Sequence, residues 1–343
     1  MAREVSATLP SASRRVSLAK LVIGRERLAE ECGVSVKTLY KYLNTLGSYV
    51  SLAPAEVIEA FLLMKCRGIH FYTFPPGDTP WLWLLVNVFT VDLLADLLEL
   101  YRSLGIKTYA ISVIVDSGVD RYWRKPCSAI HADYTEDYWN TFWSAVDKVK
   151  ILRKEFGFFY EVVVPDYVDD YSSAWGKKHC LWIDNYTNID RTLENVFYMI
   201  EQDKNIKWLT PAQGYEDVPE SILKSIGVYV NHGLHKKYRI GLANLCTSKK
   251  TSVILETVRL AREVCKECRY HIFGPSLTAV KKSIALGYLQ PGDSWDSTAW
   301  TFPRGNGWSC KSSRERVQYF LFYLRHVVEG LRGGGGAQRK AHE

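Results

Sequence analysis

Two periodicities alternate along most of the chain. From Ala53 onward, short apolar or β-branched runs that read as strands are followed by longer stretches with apolar residues three and four apart, which read as amphipathic helices. The strand-like runs are Ile69 to Phe74, Thr108 to Val115, Phe158 to Val164, Lys207 to Leu209, Tyr238 to Ile240, Tyr270 to Phe273 and Asp293 to Ser297. The helical stretches are Val91 to Leu104, Glu136 to Phe156, Ile189 to Asp203, Thr251 to Val264 and Leu277 to Leu286. Seven strand-like runs over roughly 250 residues suit an α/β fold of the (β/α)8 TIM-like barrel type better than an open doubly wound sheet. Gly227 to Asn231 is the candidate for the eighth strand. Ser313 to Gly330 is strongly amphipathic and is expected to pack as the closing helix.

Ahead of the barrel, Gly24 to Gly47 reads as two short helices, Arg25 to Cys32 and Val36 to Leu46, joined by Gly33-Val34-Ser35. Leu28, Ala29, Val34, Val36, Leu39, Leu43 and Leu46 form an inward face, Ser35 can cap the second helix, and Lys37, Thr38, Tyr40, Lys41 and Tyr42 crowd its outer side. This pattern fits a DNA-reading helix-turn-helix. It fits equally a helical hairpin docked on the next domain. The expected division is a flexible N-terminus (1–23), a helix-turn-helix-like segment (24–52), a barrel (53–330) and a flexible Gly-rich tail (331–343).

Composition narrows the class. Of 343 residues, 47% are hydrophobic and 13% aromatic, which excludes disorder for the bulk of the chain. Met1 to Val16 lacks an apolar signal core, and the most apolar stretch, Trp81 to Val91, is too short to cross a bilayer. A soluble, cytoplasmic protein with no membrane partner is the expectation. Eight cysteines at irregular spacing read as mostly reduced, buried thiols. Cys265-x-x-Cys268 lacks a second pair, so no metal is expected. The net charge of +7 is compatible with a nucleic-acid partner, as are Lys236-Lys237, Lys249-Lys250, Lys281-Lys282, Arg314 and Arg316, although paired lysines are commonly a solvated face. Homodimerisation is possible and leaves no mark in the sequence.

In such a barrel the active site collects where the strands end. The polar residues there include Asp116-Ser117-Gly118, Pro165-Asp166-Tyr167 with Asp169 and Asp170 behind it, Gln213-Gly214, Gly241-Leu242-Ala243, Gly274, and Asp293-Ser294-Trp295-Asp296. Three strands therefore deliver a carboxylate to one rim. Converging carboxylates divide into a nucleophile, a proton carrier and a hydrogen-bonding recogniser, because repulsion and burial push their pKa values apart. Displacement at a sugar C1′ needs that division. Gln213 can donate to and accept from a purine edge, and Gly241 and Gly274 would admit a flat ring to the backbone. Singly, each Asp is as well explained as a turn former or cap, and the set also suits a metal-binding carboxylate site.

In order and spacing, these segments resemble the tRNA-guanine transglycosylase superfamily, and within it the DpdA-like branch that places 7-deazaguanines in DNA. Asp116-Ser117-Gly118 looks like the family's Asp-Ser-Gly-Gly-Phe loop, Gln213-Gly214 like its Gln-Gly pair, Tyr238 to Ala243 like its Ile-Gly-Gly-Leu strand end, and Gly292 to Asp296 like its nucleophile segment. The resemblance spans about Ile69 to Arg304 and implies Asp296 as nucleophile and Asp116 as general acid/base. It implies Asp166, with Asp169 as substitute, as reader of the exocyclic amine, and Gln213, Gly241, Ser117 and Gly118 as further contacts of the base pocket. The implied reaction is exchange of guanine for a 7-deazaguanine, without a cofactor. Departures are Val119 and Leu242 at the family's second glycines, and a lone Cys310 where the tRNA enzymes carry a zinc-binding cysteine cluster. DNA is the expected substrate, tRNA the alternative, and an inactive barrel carrying a DNA-binding helix-turn-helix a third reading.

Overall fold

The computed structural model describes residues 18–77, 79–119, 134–167, 188–215, 217–246, 248, 250–301 and 312–339. Eight parallel strands form one sheet: β1 (His70–Tyr72), β2 (Trp83–Asn87), β3 (Ser112–Asp116), β4 (Phe159–Val163), β5 (Trp208–Ala212), β6 (Arg239–Leu242), β7 (Tyr270–Ile272) and β8 (Ser294–Asp296). The strands run in sequence order from β2 to β8, and β8 pairs with β1. Thr73, just past β1, closes the ring by donating to Trp83 O at 3.1 Å and accepting from Leu85 N at 3.2 Å. The fold is a (β/α)8 barrel.

Four helices precede it, α1 (Leu18–Glu31), α2 (Val36–Thr45), α3 (Tyr49–Leu52) and α4 (Ala55–Cys66). Between or after the strands come α5 (Asp92–Ser103), α6 (Glu136–Phe156), α7 (Asn188–Gln202), α8 (Leu223–Asn231), α9 (Leu234–Lys237), α10 (Thr251–Val264), α11 (Leu277–Ala285) and α12 (Ser313–Arg339). Most expected elements form within a residue or two of their expected limits. Two do not. Gly227 to Asn231 lies in helix α8, and the missing strand is β2, inside the apolar stretch Trp81 to Val91. A strand buried on both faces shows no alternation, so its period is invisible. Thr108 to Ala110 forms a 3-10 turn rather than the start of β3.

The ends also differ from expectation. Helix α1 begins at Leu18, and α12 continues through the glycines to Arg339, because a helix already nucleated by packed turns gains one bond per added residue. Cys32 and Cys66 are joined as a disulfide that ties α1 to α4, and Cys265 and Cys268 form a second, where reduced thiols were expected. Among the described residues no helix is long and apolar enough to cross a membrane.

Ser35 caps α2 as its sequence suggests, accepting from Thr38 N at 3.1 Å, and Leu28, Leu39, Leu43 and Leu46 are buried. The place of this helix pair matters more. Ser48 N donates to Gly105 O at 3.2 Å, and Tyr109 OH to Thr45 O at 3.1 Å. Gly105 and Tyr109 belong to the loop entering β3, so the pair sits at the base of the barrel. Asp116 lies at the other end of β3, a strand length of about 15 Å away.

Candidate active site at the strand ends

Because all eight strands are parallel, their C-terminal ends share one rim, and the register sets Asp296 beside Tyr72 and Asp116 beside Asn87 there. Asp296 ends β8. Its Oδ1 accepts from His271 Nε2 at 3.1 Å and from the backbone N of Gly274 at 3.2 Å. Both bonds fall on one oxygen, and among the described residues none is made to Oδ2.

His271, on β7, is fully buried, and burial holds its pKa below the ordinary imidazole value, with the charge of Arg239 acting in the same direction. Its tautomer follows from its neighbours. Arg239 Nη1 donates to Ser294 Oγ at 2.7 Å, and a guanidinium has nothing to accept with. The Ser294 hydroxyl proton is therefore directed to His271 Nδ1, 2.8 Å away, and the imidazole proton sits on Nε2, facing Asp296. Arg239 in turn lies 3.2 Å from Glu161 Oε2 across the barrel interior, a pairing of charges without hydrogen-bond alignment. One line of buried polar groups thus runs from β4 through β6, β8 and β7 to the rim. Sequence reasoning missed Glu161, Arg239 and His271, and gave Ser294 no role; the available signal was polar residues inside otherwise apolar strands.

Asp293, although in the same short segment as Asp296, lies at the start of β8 and at the other end of the barrel. It takes Tyr270 N and Gln290 N at 2.7 Å each, and the guanidinium of Arg262. It is a structural carboxylate.

On the opposite arc of the rim, Asp166 follows β4. Burial pushes its pKa up to about 6, against the opposing effect of the amide donated by Gln213 Nε2 to its Oδ2. Helix α7 fixes this segment: Thr192 Oγ1 accepts from Tyr167 N at 2.9 Å, and Asn195 Nδ2 donates to Pro165 O. Tyr134 OH donates to the Asp166 carbonyl. Gln213 is itself fully buried, with Ser225 Oγ donating to its carbonyl at 3.0 Å, and its Oε1 has no partner among the described residues. An orphaned buried acceptor costs roughly 1–3 kcal/mol, so a donor that reached it would bind with that advantage.

Asp116 ends β3, the neighbour of β4 in the ring. Its Oδ2 accepts from Asn87 Nδ2 at 3.2 Å, and Asn87 is oriented because its Oδ1 caps Phe89 N at 3.0 Å. Ser117 is buried and its carbonyl accepts from Tyr138 OH at 2.8 Å. Gly118 has φ +76°, and a Cβ there would meet the Phe89 ring at 2.7 Å, so both backbone and space require glycine. Gly241 also has no room for a Cβ, but the flat ring against it belongs to the protein: Phe273 Cε2 would lie 2.5 Å away and Leu209 Cδ2 2.6 Å. The expectation that Gly241 admits a ligand ring is corrected to that extent. Asp169 lies outside the described residues.

No protein-family model matches the chain, and no curated protein matches it. Among solved structures it is similar to a monomeric variant of dihydrodipicolinate synthase, with 12% identity over 78% of each chain and a TM-score of 0.33. Likeness at that level says nothing about chemistry.

The geometry offers a carboxylate held on one oxygen by two N–H donors and a second carboxyl whose raised pKa lets it hold or release a proton near neutral pH. Between them in chain order lie an amide and an aromatic ring. That combination suits covalent catalysis at an electrophilic carbon with recognition of a flat, hydrogen-bonding leaving group.

Proposed function

We propose that this barrel exchanges a guanine base in DNA for a 7-deazaguanine through a covalent glycosyl-enzyme. The observation that carries the reading is the pair of unlike carboxylates on one rim: Asp296 held by His271 and Gly274, and Asp166 raised to about 6 beside Gln213. In the proposed reaction Asp296 Oδ2 attacks C1′ of a nucleotide turned out of its stack, the C1′–N9 bond breaks, and guanine leaves. Asp116 supplies the proton the leaving base needs and later takes one from the incoming 7-deazaguanine. That base attacks C1′, and Asp296 is released unchanged. Asp166 accepts from the exocyclic amine, and Gln213 Oε1 accepts a ring N–H. No ATP or redox cofactor enters the balance.

A tRNA substrate is the second reading, and one observation favours keeping it in the test. The helix-turn-helix-like pair, the main sequence argument for DNA, sits at the barrel base rather than beside the carboxylates. The deciding experiment incubates the protein with labelled guanine or 7-cyano-7-deazaguanine and either duplex DNA or tRNA, beside an Asp296→Asn control. Label in DNA supports the first reading. Label in tRNA alone replaces it with the second. No label in either, with salt-sensitive DNA binding through α2, favours a non-catalytic DNA-binding protein.

A further inference from the structure

At the base of the barrel, far from the rim, three elements bring together a group of side chains that the proposed reaction does not use. Cys265 directly follows α10, Cys268 and Glu267 lie in the loop into β7, and His235 lies on α9 before β6. A ring nitrogen of His235, Cys265 Sγ and a carboxylate oxygen of Glu267 all lie within 4.8 Å of one another. Cys268, paired with Cys265, adds a second sulfur at the same place.

The imidazole supplies the independent observation. His235 is only 9% exposed, its Nδ1 has no partner among the described residues, and its Nε2 lies 3.7 Å from Glu267 Oε1, too far for a hydrogen bond. A buried ring nitrogen without a partner, as at His235 Nδ1, is costly unless something else meets it. The loop carrying the sulfurs is also held in shape. Arg262 Nη1 donates to Lys266 O at 3.0 Å and Cys268 O at 2.7 Å, while Asp293 takes the Arg262 charge.

We infer that His235, Cys265, Cys268 and Glu267 form a structural site for a zinc-class divalent cation, with the Cys265–Cys268 disulfide as its oxidised, metal-free alternative. Two sulfurs and an imidazole nitrogen are the donor set that borderline-soft divalent ions prefer, and a carboxylate completes four-coordination. The exchange between states balances. A dithiol reductant gives two electrons and two protons to the disulfide and becomes a disulfide itself. The metal then displaces the two thiol protons into solvent. Sequence spacing hid this site, since His235 is remote from the Cys-x-x-Cys pair in the chain and reaches it only through the packing of α9 beside the loop into β7.

The test uses the full chain, reduced with a dithiol and desalted without oxygen. Peptide mapping reports whether Cys265 and Cys268 are thiols, elemental analysis reports bound zinc, and cobalt(II) added to the metal-free protein reports thiolate ligation by its near-ultraviolet charge-transfer band. One metal per chain and a cobalt band are expected, both lost in Cys265→Ser/Cys268→Ser, with affinity lowered about 10-fold or more in His235→Ala. Wild-type protein with both thiols free, no stoichiometric zinc and no cobalt band would overturn the site. So would a pair that stays oxidised in the reductant. Both results rest on the wild type, so a variant that fails to fold leaves the decision intact.

Discussion

Asp166 and Asp296 are both aspartates, both nearly buried and both at strand ends, yet their surroundings drive them apart. Asp296 meets two N–H donors on one oxygen, one from an imidazole whose tautomer is set by Ser294 and Arg239. Asp166 meets one neutral amide in an otherwise desolvating pocket, and its pKa climbs to about 6. Burial raises the pKa of Asp166 against a single donated amide, whereas two N–H donors converge on one oxygen of Asp296. The side with the buried polar line is built to fix the position of Asp296 Oδ1. The other side is built to hold or shed a proton.

The largest effect expected from breaking this contrast is at Asp296. Asp296→Asn keeps the shape and removes the nucleophile, and base exchange is expected to fall by about 10⁴-fold or more in single-turnover assays. Exchange at the wild-type rate in this variant would sink the covalent mechanism. His271→Ala comes next. It removes one bond to a charged acceptor, worth about 1.5–3 kcal/mol, so kcat is expected to drop on the order of 10- to 100-fold with little change in KM for the base. His271→Gln, which keeps a donor near the same place, should recover part of the loss. An unchanged kcat in His271→Ala would show that Gly274 alone holds Asp296.

How much of this was readable in the chain follows from what each residue type signals by itself. The barrel was legible because seven strand-like runs, most of them followed by an amphipathic helix, announce themselves locally, and β2 was missed because it lies in a continuously apolar run that shows no period. Asp116, Asp166, Gln213 and Asp296 were legible as polar punctuation at strand ends. His271 was not, since it falls inside the run Tyr270 to Phe273 and its partner Ser294 is 23 positions away in the sequence. Thr192 and Asn195 left a fainter mark, two polar residues on the apolar face of α7 beside Ile189, Leu193 and Val196. Which strand-end aspartate faces the site and which is structural, as for Asp296 and Asp293, depends on their opposite ends of one three-residue strand, a distinction only the fold supplies.

Asp166 gives the pH-dependent arm of the contrast. Its folded pKa, about 6, lies above the ordinary 3.8, so the folded state binds more protons than the unfolded chain between those values. The stability conferred by protonated Asp166 is therefore complete below about 3.8 and lost as pH rises through about 6. Denaturant titrations of wild type and Asp166→Asn across pH 4 to 7 should diverge by roughly 2 kcal/mol, the variant gaining relative stability as pH rises. Apparent affinity for the incoming base should rise above pH 6 in wild type only, because accepting from an exocyclic amine requires the ionised carboxylate. Parallel stability curves would show that Asp166 is better solvated than its pocket implies.

The smallest expected effect concerns what lies between the two arcs. Strand β6 separates Gln213, just past β5, from His271 on β7, and there Gly241 faces the edge of Phe273, whose ring also packs on His271 at a centroid distance of 4.6 Å. Gly241→Ala forces Phe273 or Leu209 to move, an overpacking cost of about 1–3 kcal/mol, and the added methyl has nowhere to go that does not press on His271's neighbour. Phe273→Leu in the same chain frees space and should return most of that stability in thermal or denaturant unfolding. If the ring is only filler, the double variant recovers activity with stability. If it shapes the base pocket, stability returns while KM for the base stays raised, because the flat surface beside Gly241 is gone. Equal stability of wild type and Gly241→Ala would mean the two arcs are less tightly joined than the packing of Phe273 against Leu209 and His271 requires.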